Sequence, residues 1–72
     1  MNSIAAIGND HDLVGFALAG VDVKRATSDA QIDAAWEGLE PDVGLVILSP
    51  RAAERLSEAL RQRPHLLSVV LP

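Results

Sequence analysis

The residues best suited to chemistry lie in one polar turn, residues 9–12, which holds Asp10, His11 and Asp12. Two carboxylates one residue apart can bind a divalent cation, and the histidine between them is a candidate ligand. The alternative is that Asp10 or Asp12 caps the helix that follows, because a carboxylate accepts hydrogen bonds from the free N–H groups at a helix start. We favour capping and interpret His11 as a solvated loop residue, because the other histidine, His65, lies on a different predicted loop.

Ser49 is the one serine that invites a catalytic interpretation, as the nucleophile of a Ser–His–Asp hydrolase. It lacks the G-x-S-x-G context of a nucleophile elbow, and Pro50 directly after it is typical of a helix whose N-cap is Ser49. The glycines at positions 8, 15 and 20 match no nucleotide-binding pattern. We therefore predict no catalytic, cofactor-binding or metal-binding residues, and a protein that is not an enzyme.

Composition excludes several further classes. The chain has 72 residues, 49% of them apolar, no cysteine, two aromatic residues and a net charge of −4. Disulfides and Cys-ligated metals are excluded, and an acidic chain with no basic cluster and few stacking rings is not expected to bind nucleic acid. No apolar run approaches the ~18–20 residues that would span a bilayer. We expect one small cytoplasmic domain, residues 1–72, without direct membrane insertion.

Short apolar runs alternate with helix signals along the whole chain. The runs at residues 4–7, 21–26, 43–48 and 66–71 predict strands, and the segments between them predict three helices. Strands that alternate with helices indicate a parallel sheet with right-handed crossovers. The predicted fold class is α/β: a four-stranded parallel sheet in the order 2-1-3-4, with helices on both faces, as in a truncated flavodoxin-like or receiver-like domain.

Helices two and three carry clear boundaries. Ser28 and Gln31 form a capping-box pattern, and Pro41 closes the second helix. Ser49 and Pro50 open the third helix, which is expected to continue to Pro64. Apolar residues at helical spacing predict their buried faces: Ile32, Ala35, Trp36 and Leu39 on the second helix, and Ala52, Ala53, Leu56 and Leu60 on the third.

The first helix, residues 13–19, has no charged residue after Asp12 and is apolar on all sides. Such a helix is either fully buried or faces a partner. On the partner interpretation, Val14 and Leu18 are the candidate contacts. On the other, the small residues of the helix pack closely on the sheet and leave Val14 partly exposed. Both interpretations remain open at this point.

In this order, the segments resemble the F subunit of the V-type and archaeal A-type rotary ATPases. Residues 15–21 (GFALAGV) are similar to the family's G-F-x-L-A-G-[VI] signature, and residues 4–10 (IAAIGND) to its opening strand and turn. Residues 43–48 resemble its central strand, and residues 53–56 and 67–72 its third helix and fourth strand. The resemblance extends along all 72 residues.

The resemblance implies a non-catalytic component of the central stalk, or rotor, that couples ATP synthesis or hydrolysis to proton or sodium transport. Its implied partners are the coiled-coil D subunit and other stalk and head subunits, in a complex that keeps it on the cytoplasmic side, peripheral to the membrane. The family's C-terminal helix is absent from these 72 residues, so we expect exposed apolar surface and self-association of the isolated domain.

An alternative is a receiver-like signalling or interaction domain that cannot be phosphorylated. Asp10 and Asp12 would then be its acidic pair, but Ser49 stands where the acceptor aspartate would follow the third strand. The lysine expected after the last strand is also missing from the sequence.

Overall fold

The structure, a computed structural model of the 72-residue chain, describes residues 3–13 and 20–72. Strands and helices alternate along the described chain. The strands are β1 (Ser3–Gly8), β2 (Asp22–Arg25), β3 (Val43–Leu48) and β4 (Leu67–Val70). The helices are α1 (Asp10–Leu13), α2 (Asp29–Glu37), α3 (Pro50–Arg55) and α4 (Ser57–Arg61).

The four strands form one parallel sheet in the order β2-β1-β3-β4. This confirms the predicted α/β class and strand order. Ala5, Ala6 and Ile7 of β1 are fully buried, as expected for a strand with a neighbour on each side and cover on both faces. The strand predicted at residues 21–26 is β2, which pairs with β1 alone and forms one edge of the sheet.

The main hydrophobic cluster lies between the sheet and helices α2 to α4. Ile7, Val46 and Leu48 contribute to it from the sheet, and Ile32, Trp36, Ala52 and Leu56 from the helices. The crossover from β1 to β2 runs in the opposite direction to the crossovers from β2 to β3 and from β3 to β4. Because such crossovers are right-handed, α1 belongs to the other face of the sheet. Leu13 of α1 is accordingly buried outside this cluster.

Side-chain caps start α2 and α3 where the sequence predicts them. The Ser28 hydroxyl accepts a hydrogen bond from the Gln31 amide at 3.2 Å. The Gln31 side chain reaches back past Ser28 and accepts from the Thr27 amide at 2.8 Å and the Thr27 hydroxyl at 2.9 Å. Since both ends of the box are bonded, the chain direction into α2 is fixed before the helix begins.

The prediction of a single third helix up to Pro64 is wrong. The chain turns at Leu56, which divides this segment into α3 and α4. Leu56 has φ −97° and ψ 9°, outside the helical region, yet its side chain stays in the core. The Leu60 amide still donates to the Leu56 carbonyl at 2.9 Å. The apolar spacing of 52, 56 and 60 therefore continues across the break, so that periodicity alone cannot reveal it.

The first helix begins earlier than predicted. It starts at Asp10, and the Leu13 amide donates to the Asn9 carbonyl at 3.2 Å. Asn9 thus precedes the first helical residue. The cap at Asp10 or Asp12 stays a prediction, because it depends on side chains that the structure does not describe. Val14 and Leu18 lie outside the described residues, as do the side chains of Asp10 and Asp12. No helix in the described ranges has the length and apolar character needed to cross a membrane.

Truncation of Ile7 tests whether the core lies where the sheet meets α2 and α3. We expect Ile7→Ala to lower the free energy of unfolding by about 2–5 kcal/mol, because the side chain is fully buried and leaves a cavity. Ile4→Ala, on the other face of the same strand and 41% exposed, is the control and should cost much less. Urea unfolding followed by circular dichroism measures both, and equal losses would contradict the placement of the core. Ile7→Val, with an expected loss of about 0.5–1.5 kcal/mol, gives the comparison if Ile7→Ala does not fold.

Candidate functional site

The carboxyl edge of the sheet, where ligands bind in many parallel sheets, is closed by contact between Gly8 and Ser49. The Ser49 amide donates to the Ile7 carbonyl at 3.0 Å. A Cβ atom at Gly8 would lie 2.8 Å from the Ser49 Cβ and 2.9 Å from its Oγ. Ser49 is buried, and its hydroxyl accepts from the Ala52 amide at 3.2 Å. The geometry therefore assigns Ser49 the role of a helix cap.

The two histidines lie at opposite ends of the sheet. His11 follows β1 at the carboxyl edge, whereas His65 precedes β4 at the amino edge, and both are exposed. A triad that combines Ser49 with His65 is thus excluded by topology. Among the side chains that the structure describes, which do not include those of Asp10 and Asp12, no three His, Cys, Asp or Glu residues are grouped to hold a metal ion.

An exposed ladder of ion pairs joins α2 to α3. Arg55 donates to Asp33 in a two-point contact, with Nη2 to Oδ2 at 2.7 Å and Nε to Oδ1 at 3.1 Å. Arg51 lies 3.5 Å from Asp29, and Arg55 lies 3.9 Å from the same carboxylate. Asp29, Arg51 and Arg55 line a cleft of about 280 Å³ together with Glu54. Because each arginine already faces a carboxylate, the ladder fixes one helix against the other and leaves little positive charge for an anion.

The hydrogen bond from Arg55 holds the pKa of Asp33 below its ordinary value of 3.8, and Asp33 raises the pKa of Arg55. A carboxyl whose pKa is depressed in the folded state stabilises the fold above its ordinary pKa. That contribution disappears as the pH falls through the lower, folded value.

Asp33→Asn should therefore reduce the free energy of unfolding at pH 7, and the difference from the wild type should shrink below pH 3.8. We expect a smaller loss than for Ile7→Ala, since water screens an exposed pair. Urea titrations at a series of pH values measure it, with Glu37→Gln on the same helix as the control. A difference that stays constant from neutral to strongly acid pH would rule out this role for the pair.

The sheet face opposite the main cluster carries two apolar rows of side chains. Residues paired in register share a face of a parallel sheet. Two such rows define what we call the apolar face: Ile4, Leu45 and Leu67 in one row, and Val23, Ala6, Ile47 and Val69 in the next. Toward β4 this face opens to solvent, where Leu67 is 66% and Val69 49% exposed.

The two edges of the sheet differ in charge. The β2 edge carries Asp22, Lys24 and Arg25, with an ion pair between Lys24 and Asp22 at 3.5 Å. The β4 edge has the sequence Leu-Ser-Val-Val and no charge at all. Val70, on the other face of β4, is also half exposed, at 51%. The described surface thus concentrates its exposed large apolar side chains on one strand.

At the amino edge, the guanidinium of Arg63 lies over the ring of Trp36, 4.9 Å from its centroid. This contact covers the solvent side of a side chain that the sequence correctly placed in the core. A second cleft, of about 270 Å³, lies beside it and includes Glu40 and His65 in its lining.

The family is decided by a match that runs along almost the whole sequence. The family model for the ATP synthase (F/14-kDa) subunit matches residues 4–72. The chain belongs to that family. Among solved structures, the F subunit of the V-type ATP synthase from Archaeoglobus fulgidus is similar, with 32% sequence identity and a TM-score of 0.62. The match covers 94% of this chain and 96% of that one. No curated protein matches this chain.

For this member of the family, sequence reasoning correctly predicted the sheet and the cap at Ser49, and missed the exposure of β4. The predicted contact residues Val14 and Leu18 remain a prediction, because they lie outside the described residues. The run at residues 66–71 has apolar residues at both odd and even positions, which is also the pattern of a strand buried on both faces. The one available signal was its position last in the predicted order, which makes it an edge.

Gly8 tests the closed carboxyl edge. We expect Gly8→Ala to lower the free energy of unfolding by about 1–3 kcal/mol, because the new methyl group would overlap Ser49. Gly38→Ala is the matched control: its Cβ would meet only the Ala34 carbonyl at 3.4 Å and the Ala35 carbonyl at 3.8 Å. The control should stay within about 1 kcal/mol of the wild type. Equal stability of the two variants would show that Gly8 and Ser49 are not in close contact.

Proposed function

We propose that this chain is a non-catalytic component of the central stalk of a V-type or A-type rotary ATPase. The observation that carries the proposal is the family match over residues 4–72, together with the similar fold of the F subunit of a V-type ATP synthase. In this role the protein turns with the rotor and helps couple ATP synthesis or hydrolysis to proton or sodium transport. It does so by protein contacts, as one domain formed by residues 1–72, on the cytoplasmic side and peripheral to the membrane.

The geometry of the described residues supports a role without chemistry of its own. The hydroxyl of Ser49 is buried and accepts the Ala52 amide, so it is placed for capping and not for attack on a substrate. The arginines of α3 are held by the carboxylates of α2 and are not free to bind phosphate groups. What the surface does offer is apolar area on β4, which suits contact with other proteins.

The partners we propose are the coiled-coil D subunit and other stalk and head subunits. A coiled coil presents an apolar seam flanked by charged residues, and an apolar helix can pack against such a surface. On the helix predicted for residues 13–19, Val14 and Leu18 are four residues apart and share one face. They are the candidate contacts with the D subunit.

Calorimetric titration with the cognate D subunit tests this contact. We expect the double variant Val14→Asp, Leu18→Asp to bind at least about tenfold more weakly, because two carboxylates would be buried in an apolar contact. Ala30→Asp is the matched control, since Ala30 is exposed in the first turn of α2, where an acidic residue is tolerated. Circular dichroism must show that all variants are folded.

Unchanged affinity in a folded double variant would reject Val14 and Leu18 as contacts. Absence of binding between the wild-type chain and the D subunit would reject that partner. A loss of affinity in Ala30→Asp equal to that of the double variant would mean that any added negative charge weakens binding.

A further inference from the structure

The outer side of β4 carries main-chain groups directed away from the sheet. The Leu71 amide donates to the Leu48 carbonyl at 2.9 Å, so the main-chain groups of Leu71 face β3. Along a strand, alternate residues direct their N–H and C=O groups to the same side. The main-chain groups of Leu67 and Val69 therefore also face β3. Ser68 and Val70 therefore direct theirs outward. In the part of the chain that the structure describes, no strand lies beyond β4 to receive them.

An open edge of this kind is an attachment site for another extended strand. Proteins usually protect such edges with charged side chains, and the β2 edge has three of them. The β4 edge has none, and it exposes Leu67 and Val69 on one face of the sheet and Val70 on the other. The same sheet therefore has one protected edge and one unprotected edge.

We infer that β4 pairs antiparallel with β4 of a second copy of this chain, about a two-fold axis that passes between the two Val69 residues. In this register Ser68 of each copy faces Val70 of the other, and each pair exchanges two N–H to C=O bonds. Val69 faces Val69, and Leu67 faces Leu71. These are the non-hydrogen-bonded positions, where side chains approach most closely. The apolar faces of the two sheets become continuous.

Three features favour a second copy over another occupant. The strand is uncharged, so pairing with itself brings no like charges together. Each β4 is already extended and held by β3, so its pairing costs less ordering entropy than that of an unstructured peptide. The register is also self-complementary, which is the condition for a two-fold dimer.

The size of the contact predicts a reversible dimer. A standard interface buries about 800 Å² per partner, roughly a sixth of the 4691 Å² surface of this chain. Four residues of strand extend about 13 Å, roughly half of the 28 Å length of the molecule. The contact between the two β4 strands is therefore smaller than a standard interface, and the dimer should form in a concentration-dependent manner.

Sedimentation velocity of the 72-residue chain from about 1 µM to about 1 mM tests the inference, since that range covers weak association. Val69→Lys places two ammonium groups against each other at the axis and should abolish the dimer. Ser68→Pro removes an outward N–H and leaves the bonds between β4 and β3 intact, so it should also abolish the dimer. Ala30→Lys, an exposed change on α2, should dimerise like the wild type.

A mixture of Val69→Lys and Val69→Glu tests the register. Each variant alone should be monomeric, while an equimolar mixture should recover the dimer, because opposite charges then meet at the axis. A wild-type chain that is monomeric at the highest concentration would overturn the inference. So would folded Val69→Lys and Ser68→Pro variants that dimerise like the wild type, since the contact would then lie elsewhere.

Discussion

The burial of β1 on both faces is the constraint that organises this protein. Its four last residues are Ala5, Ala6, Ile7 and Gly8, and only Ile7 has a large side chain. Small residues allow α2 and α3 to approach one face of the strand and α1 to approach the other. At Gly8 the approach is so close that the Ser49 side chain occupies the space of a missing Cβ atom. The cap of α3 and the end of β1 are therefore packed as one unit, with no cavity between them for a ligand.

Local patterns predicted those parts of the fold that local forces decide. Alternation of apolar runs with helix signals predicted the sheet and its order, and the side chains of Ser28 and Ser49 predicted where α2 and α3 begin. The break at Leu56 was not predictable in this way, because the apolar spacing continues across it. The local pattern did not reveal the exposure of β4 either, since an apolar strand has the same pattern at the centre of a sheet and at its edge, and only its last place in the predicted strand order indicated an edge. Exposure depends on which elements lie beside a strand, and sequence periodicity does not report that.

The helix layer and the sheet are stabilised by different forces. Between α2 and α3, charged groups at the solvent edge hold two helices whose inner sides already share the core. On the opposite side of the sheet, the rows through Leu45 and Ile47 continue as apolar surface to β4. Salt therefore acts mainly on the ion pairs between α2 and α3. Temperature, and cosolvents that alter apolar hydration, act mainly on the apolar face of the sheet.

Trp36 gives this protein an optical property that follows from its position. It is the one tryptophan of a chain without tyrosine, so a single indole dominates the intrinsic fluorescence. That indole lies near the C-terminal end of α2 under the Arg63 guanidinium, at the amino edge of the sheet. Its emission reports on the core and on the connection into β4. Binding in the polar turn after β1, at the other end of the sheet, would leave the signal unchanged unless the core itself moved.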